Sequence, residues 1–462
     1  MIVMKFGGTS LEDAAAIEQA ISVVKTRLAR RPVVVASAMA KITDTLIQCA
    51  HLAHTGQESA ALALVNDELA HRHHAVVSQL ISHSWARKLL HDALDKYVDE
   101  IKTLLHGLAI LGELSPRSLA AIASYGERLS TMILTAAMKE RAINAELLDA
   151  RQLIITNANF AKATPFMELC EARAKEIVLP LLHRGVVPVT QGFIGATREG
   201  VTTILGRGGS DYSAAILGAA LDAEVVEIWT DVDGILSADP KLVPQARLLE
   251  TVTFQEASEL AYFGAKVLHP STLLPAIEKN IPVHIYNTKR PSSPGTHIVA
   301  HETAHYGVVK SIAYKKGITM INVYSTRMLM AHGFLKAIFD VFDRFETSVD
   351  LVTTSEVNVS LTIDDTRHLD DIVSELQRFA TVTVEHGKAI ICVVGEAMKH
   401  TPGIAARIFS AIRDINVNMI SQGASEINIS LIVNESDVPA AVQKLHREFF
   451  PDPEGGASCA SA

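Results

Sequence analysis

The segment SEVNVSL at 355–361 returns 70 residues later as SEINISL at 425–431, with Ile replacing Val at two of the seven positions. Neighbouring positions keep the offset, Gly333 matching Gly403 and Ile338-Phe339 matching Ile408-Phe409. A chain of this kind must fold its last third as two copies of one small module. The periodicity predicts the first copy as strand 318–324, helix 333–345, strands 349–354 and 357–363, helix 367–378 and strand 380–386. The second is strand 389–395, helix 403–414, strands 417–422 and 427–433 and helix 437–449, with no sixth element before the Pro/Gly/Ser tail 451–462, read as disordered. A spare strand-like segment, 307–315, precedes the first copy. It completes the second module, so that 316–387 forms the first module and 307–315 with 388–450 the second.

Upstream the pattern changes. Apolar runs at 2–6, 33–37, 153–155, 186–195, 225–231 and 281–287 alternate with helical stretches, and 45–140 is helical almost throughout. Alternation over residues 1–290 predicts one open, mainly parallel sheet between helices, with 45–140 as a helical insertion. The stretch TKRPSSPGTH (288–297) marks a linker, placed over 291–306. A net charge of −9 argues against a sequence-independent nucleic-acid binder. No apolar run approaches a membrane span, and the start is too quickly interrupted by Lys5 and glycines for a signal peptide. Four scattered cysteines, Cys49, Cys170, Cys392 and Cys459, fit reduced thiols in a cytoplasmic protein.

Several strand ends carry chemistry. KFGGTS (5–10) follows the first strand and opens a helix, so its amides and Lys5 suit a polyphosphate, although a tight turn explains the glycines equally well. It is neither a P-loop nor a dinucleotide fingerprint. SAMAKITD (37–44) sets two hydroxyls and Lys41 at the second strand's end, where ligands of open sheets gather. LGRGGSDY (205–212) surrounds Arg207 and Asp211 with glycines; Arg offers a fork for carboxylate or phosphate. TDVDG (230–234) ends another strand and is equally a turn. Glu127 and Lys266 alone read as surface charges, and HRHH (71–74), with no partner cluster, as a helix face.

KFGGTS, SAMAKITD, SYGERLS, QGFIG, TTILGRGGSDY, WTDVDGI, FGAKVLHP and QGASEINISLIV, in this order, resemble the aspartate kinases over nearly all of residues 2–450. The resemblance implies an amino-acid-kinase fold followed by two ferredoxin-like ACT modules, with no homoserine dehydrogenase half after them. It implies transfer of the γ-phosphoryl group of ATP, with Mg²⁺, to the side-chain carboxylate of L-aspartate, opening lysine, threonine and methionine biosynthesis. Lys5, Gly7 and Gly8 would cradle the phosphoryl group, and Asp211 would organise the centre with Lys5. Ser37, Thr43, Glu127, Phe193, Arg207 and Ser210 would hold aspartate, with Arg207 on a carboxylate and Glu127 on the ammonium; Thr230, Asp231, Lys241 and Lys266 would contact nucleotide. Leu236 replaces the Tyr of lysine-sensitive members, and Met39 and Lys41 replace small residues found in some members. The alternatives are another amino-acid kinase, acting on acetylglutamate, glutamate or a nucleotide, and an ACT regulatory protein without catalysis.

The first module, with MLMAHGFL (328–335) and SVDLVTTSE (348–356), resembles the lysine-sensitive members. That implies a lysine effector held by Met328, Phe334, Leu335, Ser348, Val349, Asp350, Ser355 and Glu356. Met330 and Ala331 depart from the closest pattern, which leaves threonine, or no effector at all, as the alternatives. Because a single module exposes sheet edges, a homodimer, or a dimer of dimers, through the modules is expected.

Overall fold

Ile2–Phe6 (β1) is buried at every position, as a strand covered by helices on both faces must be. In the computed structural model, which describes residues 1–264, 272–301, 308–326 and 332–451, it is a central strand of an eight-stranded sheet. The first unit's other strands are Pro32–Ala36 (β2), Ala145–Leu148 (β3), Val187–Gln191 (β4), Ile194–Ala196 (β5), Thr202–Ile204 (β6), Val226–Thr230 (β7), Thr251–Thr253 (β8), Val283–Asn287 (β9) and Thr296–Val299 (β10). The sheet runs β3-β4-β2-β1-β7-β9-β10-β8, while β5 and β6 form a separate ribbon. Every pairing in the large sheet is parallel except β9 with β10. Between β2 and β3 the chain is helical, as its periodicity predicts. Its longest helix, Ser84–Leu111, buries Leu90, Leu94, Val98, Ile101, Leu105 and Leu108, one stripe at helical spacing.

Two expected elements are corrected. The strand expected at 153–155 lies at Ala145–Leu148, because Asp149 caps a short helix, Ala150–Leu153, that takes up the apolar run. Ile155 keeps only an isolated bridge to Ala196. The linker expected over 291–306 contains β10, whose Thr296 and Ile298 are buried while His297 and Val299 are less so. Four residues of alternation were too short to read beside two prolines.

The second unit is built on six antiparallel strands: Val309–Tyr324 (β11), Val352–Thr354 (β12), Asn358–Ile363 (β13), Thr381–Gly395 (β14), Met419–Gln422 (β15) and Asn428–Asn434 (β16), in the order β12-β13-β11-β14-β16-β15. Helices Phe334–Arg344 and Leu369–Leu376 cover one apolar cluster, and Ile404–Ala411 and Val438–Phe449 another. The segment 309–315 and the strand 318–324 are one strand with irregular register between them. Val309–Lys315 pairs with Ile390–Gly395, and Ile318–Tyr324 with Thr381–Lys388.

Residues 236–249 and 255–264, which the sequence assigns to the first 290, group with this unit. Ala238 and Val243 join its apolar core. On helix Phe254–Tyr262, Glu256 pairs with Lys310 at 3.0 Å, Glu259 accepts from Asn428 at 2.6 Å, and Tyr262 Oη donates to Asp350 at 2.6 Å. Spacings of three residues put these side chains on one helix face. Lys266, Met328, Met330, Ala331, Gly307 and the tail beyond Pro451 lie outside the described residues. Among the described residues no helix is long and apolar enough to cross a membrane, and Cys49, Cys170 and Cys392 are buried and unpaired.

Candidate active site

The C-terminal ends of β1, β2 and β4 and the first turn of helix Gly209–Ala220 surround a cavity of about 380 Å³. Lys5, Gly8, Ser37, Thr43, Glu127, Phe193, Arg207, Ser210 and Asp211 line it. Nine residues expected in one site are thus brought together from five separate stretches of chain. Lys5, next to last in β1, holds its ammonium 2.7 Å from Asp211 Oδ1, both side chains about nine-tenths buried. A pair held this way in low dielectric fixes the lysine's position without removing its local field.

Glu127 sits in the first turn of helix Tyr125–Glu140 and is 3% exposed. Its Oε1 accepts the Ala38 N–H at 3.2 Å, while Oε2 is buried with no partner. Burial pushes its pKa up to about 8, only partly offset by backbone N–H groups. A buried carboxylate oxygen facing a cavity without a donor is a place for a ligand cation. Ser130 Oγ donates to Ser37 O at 2.7 Å, Thr131 Oγ1 to Glu127 O at 2.7 Å, and Gln191 Nε2 to Thr131 Oγ1 at 3.0 Å. This network ties the Glu127 helix to the ends of β2 and β4. Sequence reasoning missed it; the only signal was hydroxyls on the buried face of an apolar helix.

Two glycines allow the close packing. A Cβ on Gly126 would stand 2.8 Å from Ala38 Cβ, and one on Gly209 would stand 2.7 Å from the Phe193 ring. Phe193 itself has φ +66°, a conformation rare for a side chain of its size, and its N–H donates to Ser213 Oγ at 2.9 Å. Non-glycine residues held there cluster at functional sites.

Thr230 ends β7 and Asp231 follows it, beside β1, and Gly7, just after β1, donates its N–H to Trp229 O at 3.0 Å. Gly7, Thr230 and Asp231 do not line the cavity. Lys241 belongs to the second unit, where its N–H donates to the Asp239 carboxylate, and Leu236 forms a bridge to Leu248 there. Among the described residues no group of three or more His, Cys, Asp or Glu could hold a metal. His73 of the HRHH run is buried rather than on an open face, with Nδ1 2.6 Å from Leu69 O and its pKa lowered to about 4 by burial.

In the second unit, His332, Gly333, Phe334, Leu335, Thr354, Ser355 and Glu356 line a cavity of about 710 Å³. Ser348, Val349 and Asp350 stand apart from it. The Asp350 side chain is engaged through Oδ1, by Lys315 at 2.9 Å and by Tyr262 Oη, while its Oδ2 is buried with no partner. The edge strands β12 and β15 approach each other, with Thr353 Oγ1 donating to Ile420 O at 3.3 Å.

The sequence model of the amino acid kinase family matches residues 1–287, and that of an ACT domain matches residues 391–449. The fold and site therefore define an amino acid kinase with an ACT regulatory region. The chain is 37% identical to the chloroplastic aspartokinase 1 of Arabidopsis thaliana, covering 97% of itself and 80% of that protein. It is 36% identical to lysine-sensitive aspartokinase 3 of Escherichia coli over 97% of itself and 99% of that enzyme. The crystal structure of E. coli aspartokinase III with aspartate and ADP in its R-state superposes with a TM-score of 0.85, at 35% identity over 97% of this chain and all of that one. The chain belongs to the aspartokinase family.

Proposed function

We propose that this aspartokinase transfers the γ-phosphoryl group of ATP to the side-chain carboxylate of L-aspartate, giving 4-phospho-L-aspartate for lysine, threonine and methionine biosynthesis. One observation carries the reading to this site: a buried, partnerless Glu127 oxygen shares a 380 Å³ cavity with the Lys5–Asp211 pair and Arg207. Glu127 takes the substrate ammonium and Arg207 a carboxylate, with Ser37, Thr43, Phe193 and Ser210 completing the wall. The acceptor carboxylate is already ionised at neutral pH, so the chain needs no general base. One carboxylate oxygen attacks phosphorus as the bond to the bridging oxygen of ADP breaks. The chain contributes position and charge: Lys5, oriented by Asp211, and the amide of Gly8 meet the phosphoryl oxygens, whereas the Gly7 N–H expected beside them is already given to Trp229 O. Thr230, Asp231, Lys241 and Lys266 are proposed for the rest of the nucleotide.

Mg²⁺ is proposed to arrive on the nucleotide's phosphates rather than in a protein-built cage. Mg²⁺ bound there would neutralise phosphate charge. Three buried thiols fit a reducing, cytoplasmic setting.

Trapping the acyl phosphate with hydroxylamine tests the reaction. Hydroxamate should form with aspartate and MgATP and not with acetylglutamate or glutamate. No product with any acid would leave a regulatory protein. Arg207→Ala should raise the aspartate KM by one to two decades, the worth of about 1.5–3 kcal/mol for a charge-assisted pair, with the ATP KM changed far less. Equal damage to both constants would assign Arg207 to the phosphates.

Lysine is the proposed inhibitor, as the E. coli relative's name states for that enzyme. Glu356, exposed beside the 710 Å³ cavity with Phe334, Leu335 and Ser355, is its proposed ammonium contact. Glu356 lines this cavity, which Asp350 does not. Glu356→Ala should weaken lysine inhibition by at least about tenfold and leave the uninhibited rate unchanged. The check is a lysine titration of activity beside calorimetry, with threonine in parallel; threonine binding without lysine binding would reverse the assignment. The pairing of 309–315 with 390–395 supports 307–315 as the completing strand of the second module. Val352 and Ile420 stay exposed although their edge strands approach each other within the chain, and this apolar surface supports a homodimer, or a dimer of dimers, through this unit; light scattering should give two or four times the chain mass.

A further inference from the structure

We infer that Lys41 is a further catalytic residue, a cation that contacts the acceptor's reacting carboxylate and the phosphoryl group arriving on it. The inference rests on the reading of the cavity as the acceptor site. Six charged side chains line that cavity: Lys5, Lys41, Asp44, Glu127, Arg207 and Asp211. Lys5 and Asp211 are paired at 2.7 Å. Asp44 lies in the first turn of helix Ile42–His54, where the helix dipole favours a carboxylate. That leaves Glu127 as the carboxyl group whose ionised form pairs with an arriving cation, and Lys41 and Arg207 as two cations with no ion pair or side-chain hydrogen bond among the described residues. Aspartate carries one ammonium and two carboxylates. With Glu127 on the ammonium and Arg207 on one carboxylate, Lys41 is the cation left for the other.

The backbone carries a second, independent observation. Lys41 has φ +70° and ψ −8°, a left-handed conformation unfavourable for a residue with a Cβ, and no glycine has been placed there to relieve it. The neighbours over-determine it. Ala38 N–H donates to Glu127 at 3.2 Å, Ala40 N–H to Gly8 O at 3.1 Å, and Ile42 N–H to Met39 O at 3.0 Å. Arg72, from the HRHH run, donates from Nη1 to Ala40 O and from Nη2 to Glu12 O, each at 2.7 Å. Lys41 is an exposed residue among those lining the cavity, and this frame fixes the backbone that carries it. Left-handed residues held by such a frame concentrate at active sites and ligand clamps. Arg72 is then a positioning residue, and its place in a histidine-rich run hid that role in the sequence.

As the acceptor oxygen bonds to phosphorus, the electron pair of the breaking bond leaves with ADP and the negatively charged phosphoryl group comes onto the acceptor carboxylate, so a cation at the acceptor end acts more strongly on turnover than on binding. The test compares Lys41→Met, Lys41→Arg and Lys41→Gly with wild type in the hydroxamate assay, varying each substrate. Lys41→Met should lower kcat by about 10- to 100-fold, with the ATP KM within about twofold of wild type. Lys41→Arg should recover at least part of the loss. Lys41→Gly should melt higher than Lys41→Met, because it relieves the left-handed strain, yet lose as much activity. Near-wild-type kcat in Lys41→Met, or retained activity in Lys41→Gly alone, overturns the proposal, the second result making position 41 a backbone feature only. Wild type run with aspartate, acetylglutamate and glutamate keeps the two readings distinct. If another acid is the acceptor, the aspartate assignment fails and the same variants are scored with that acid.

Discussion

Replacing Lys5 with Ala lowers kcat by on the order of 10²–10³-fold, the loss expected when one preorganised transition-state contact is removed. Lys5 is the last buried charge on β1 before the Gly7-Gly8 turn, and its ammonium is already oriented by Asp211 before substrate arrives. Such a group costs no reorganisation during the reaction, which is why its removal should appear in turnover rather than in either KM. The substitution also strands Asp211 as a buried carboxylate without its partner, and breaking a buried pair destabilises by roughly 3–5 kcal/mol. Lys5→Met with Asp211→Asn removes both charges and separates the effects. The double variant should regain thermal stability relative to Lys5→Ala and remain inactive. Near-normal turnover in a folded Lys5→Ala protein would remove this side chain from phosphoryl transfer.

How much of this was legible in the sequence follows from where each signal resides. Glycines beside a lysine at a strand end, and three glycines around Arg207 and Asp211, are local patterns with few packing explanations, and the chain brings them to one cavity. Glu127 is the opposite case. A single carboxylate in an apolar helix reads as a surface charge, and only the Ala38 N–H and the burial of Oε2, both supplied by distant chain, turn it into a binding group. Arg72 was illegible for the same reason: its acceptors are the backbone carbonyls of Ala40 and Glu12, which leave no trace in residue type. The repeat in the second unit was plain because identity at fixed offset needs no three-dimensional partner. It could not show that Asp350 is already occupied by Lys315, nor that Glu256, Glu259 and Tyr262 face the module strands rather than the sheet their sequence follows.

Glu127→Gln should reduce kcat/KM for aspartate by about 10²-fold while leaving the ATP KM nearly unchanged, because a neutral amide keeps the shape and the Ala38 hydrogen bond but loses the charge that pairs with the ammonium. The pH dependence is the sharper readout. With its pKa raised to about 8 in the free site, Glu127 is mostly protonated at neutral pH, and only the ionised form attracts an ammonium. Wild-type kcat/KM for aspartate should therefore climb as pH rises towards 8 and level off above it, and the Gln variant should lack that limb. Stability runs the other way. Between the ordinary carboxylate value of 4.5 and about 8 the folded state holds a proton the unfolded chain has released, so wild-type stability falls as pH rises through this window. Gln carries no such proton, so the variant should match wild type near pH 4.5 and melt higher above pH 8. Saturating aspartate should close that gap, since the ligand's ammonium compensates the buried charge in wild type alone. Thermal melts at three pH values, with and without aspartate, measure both effects on one pair of proteins. Parallel kinetic pH profiles in wild type and variant would move the ammonium site away from Glu127, whatever the melts show.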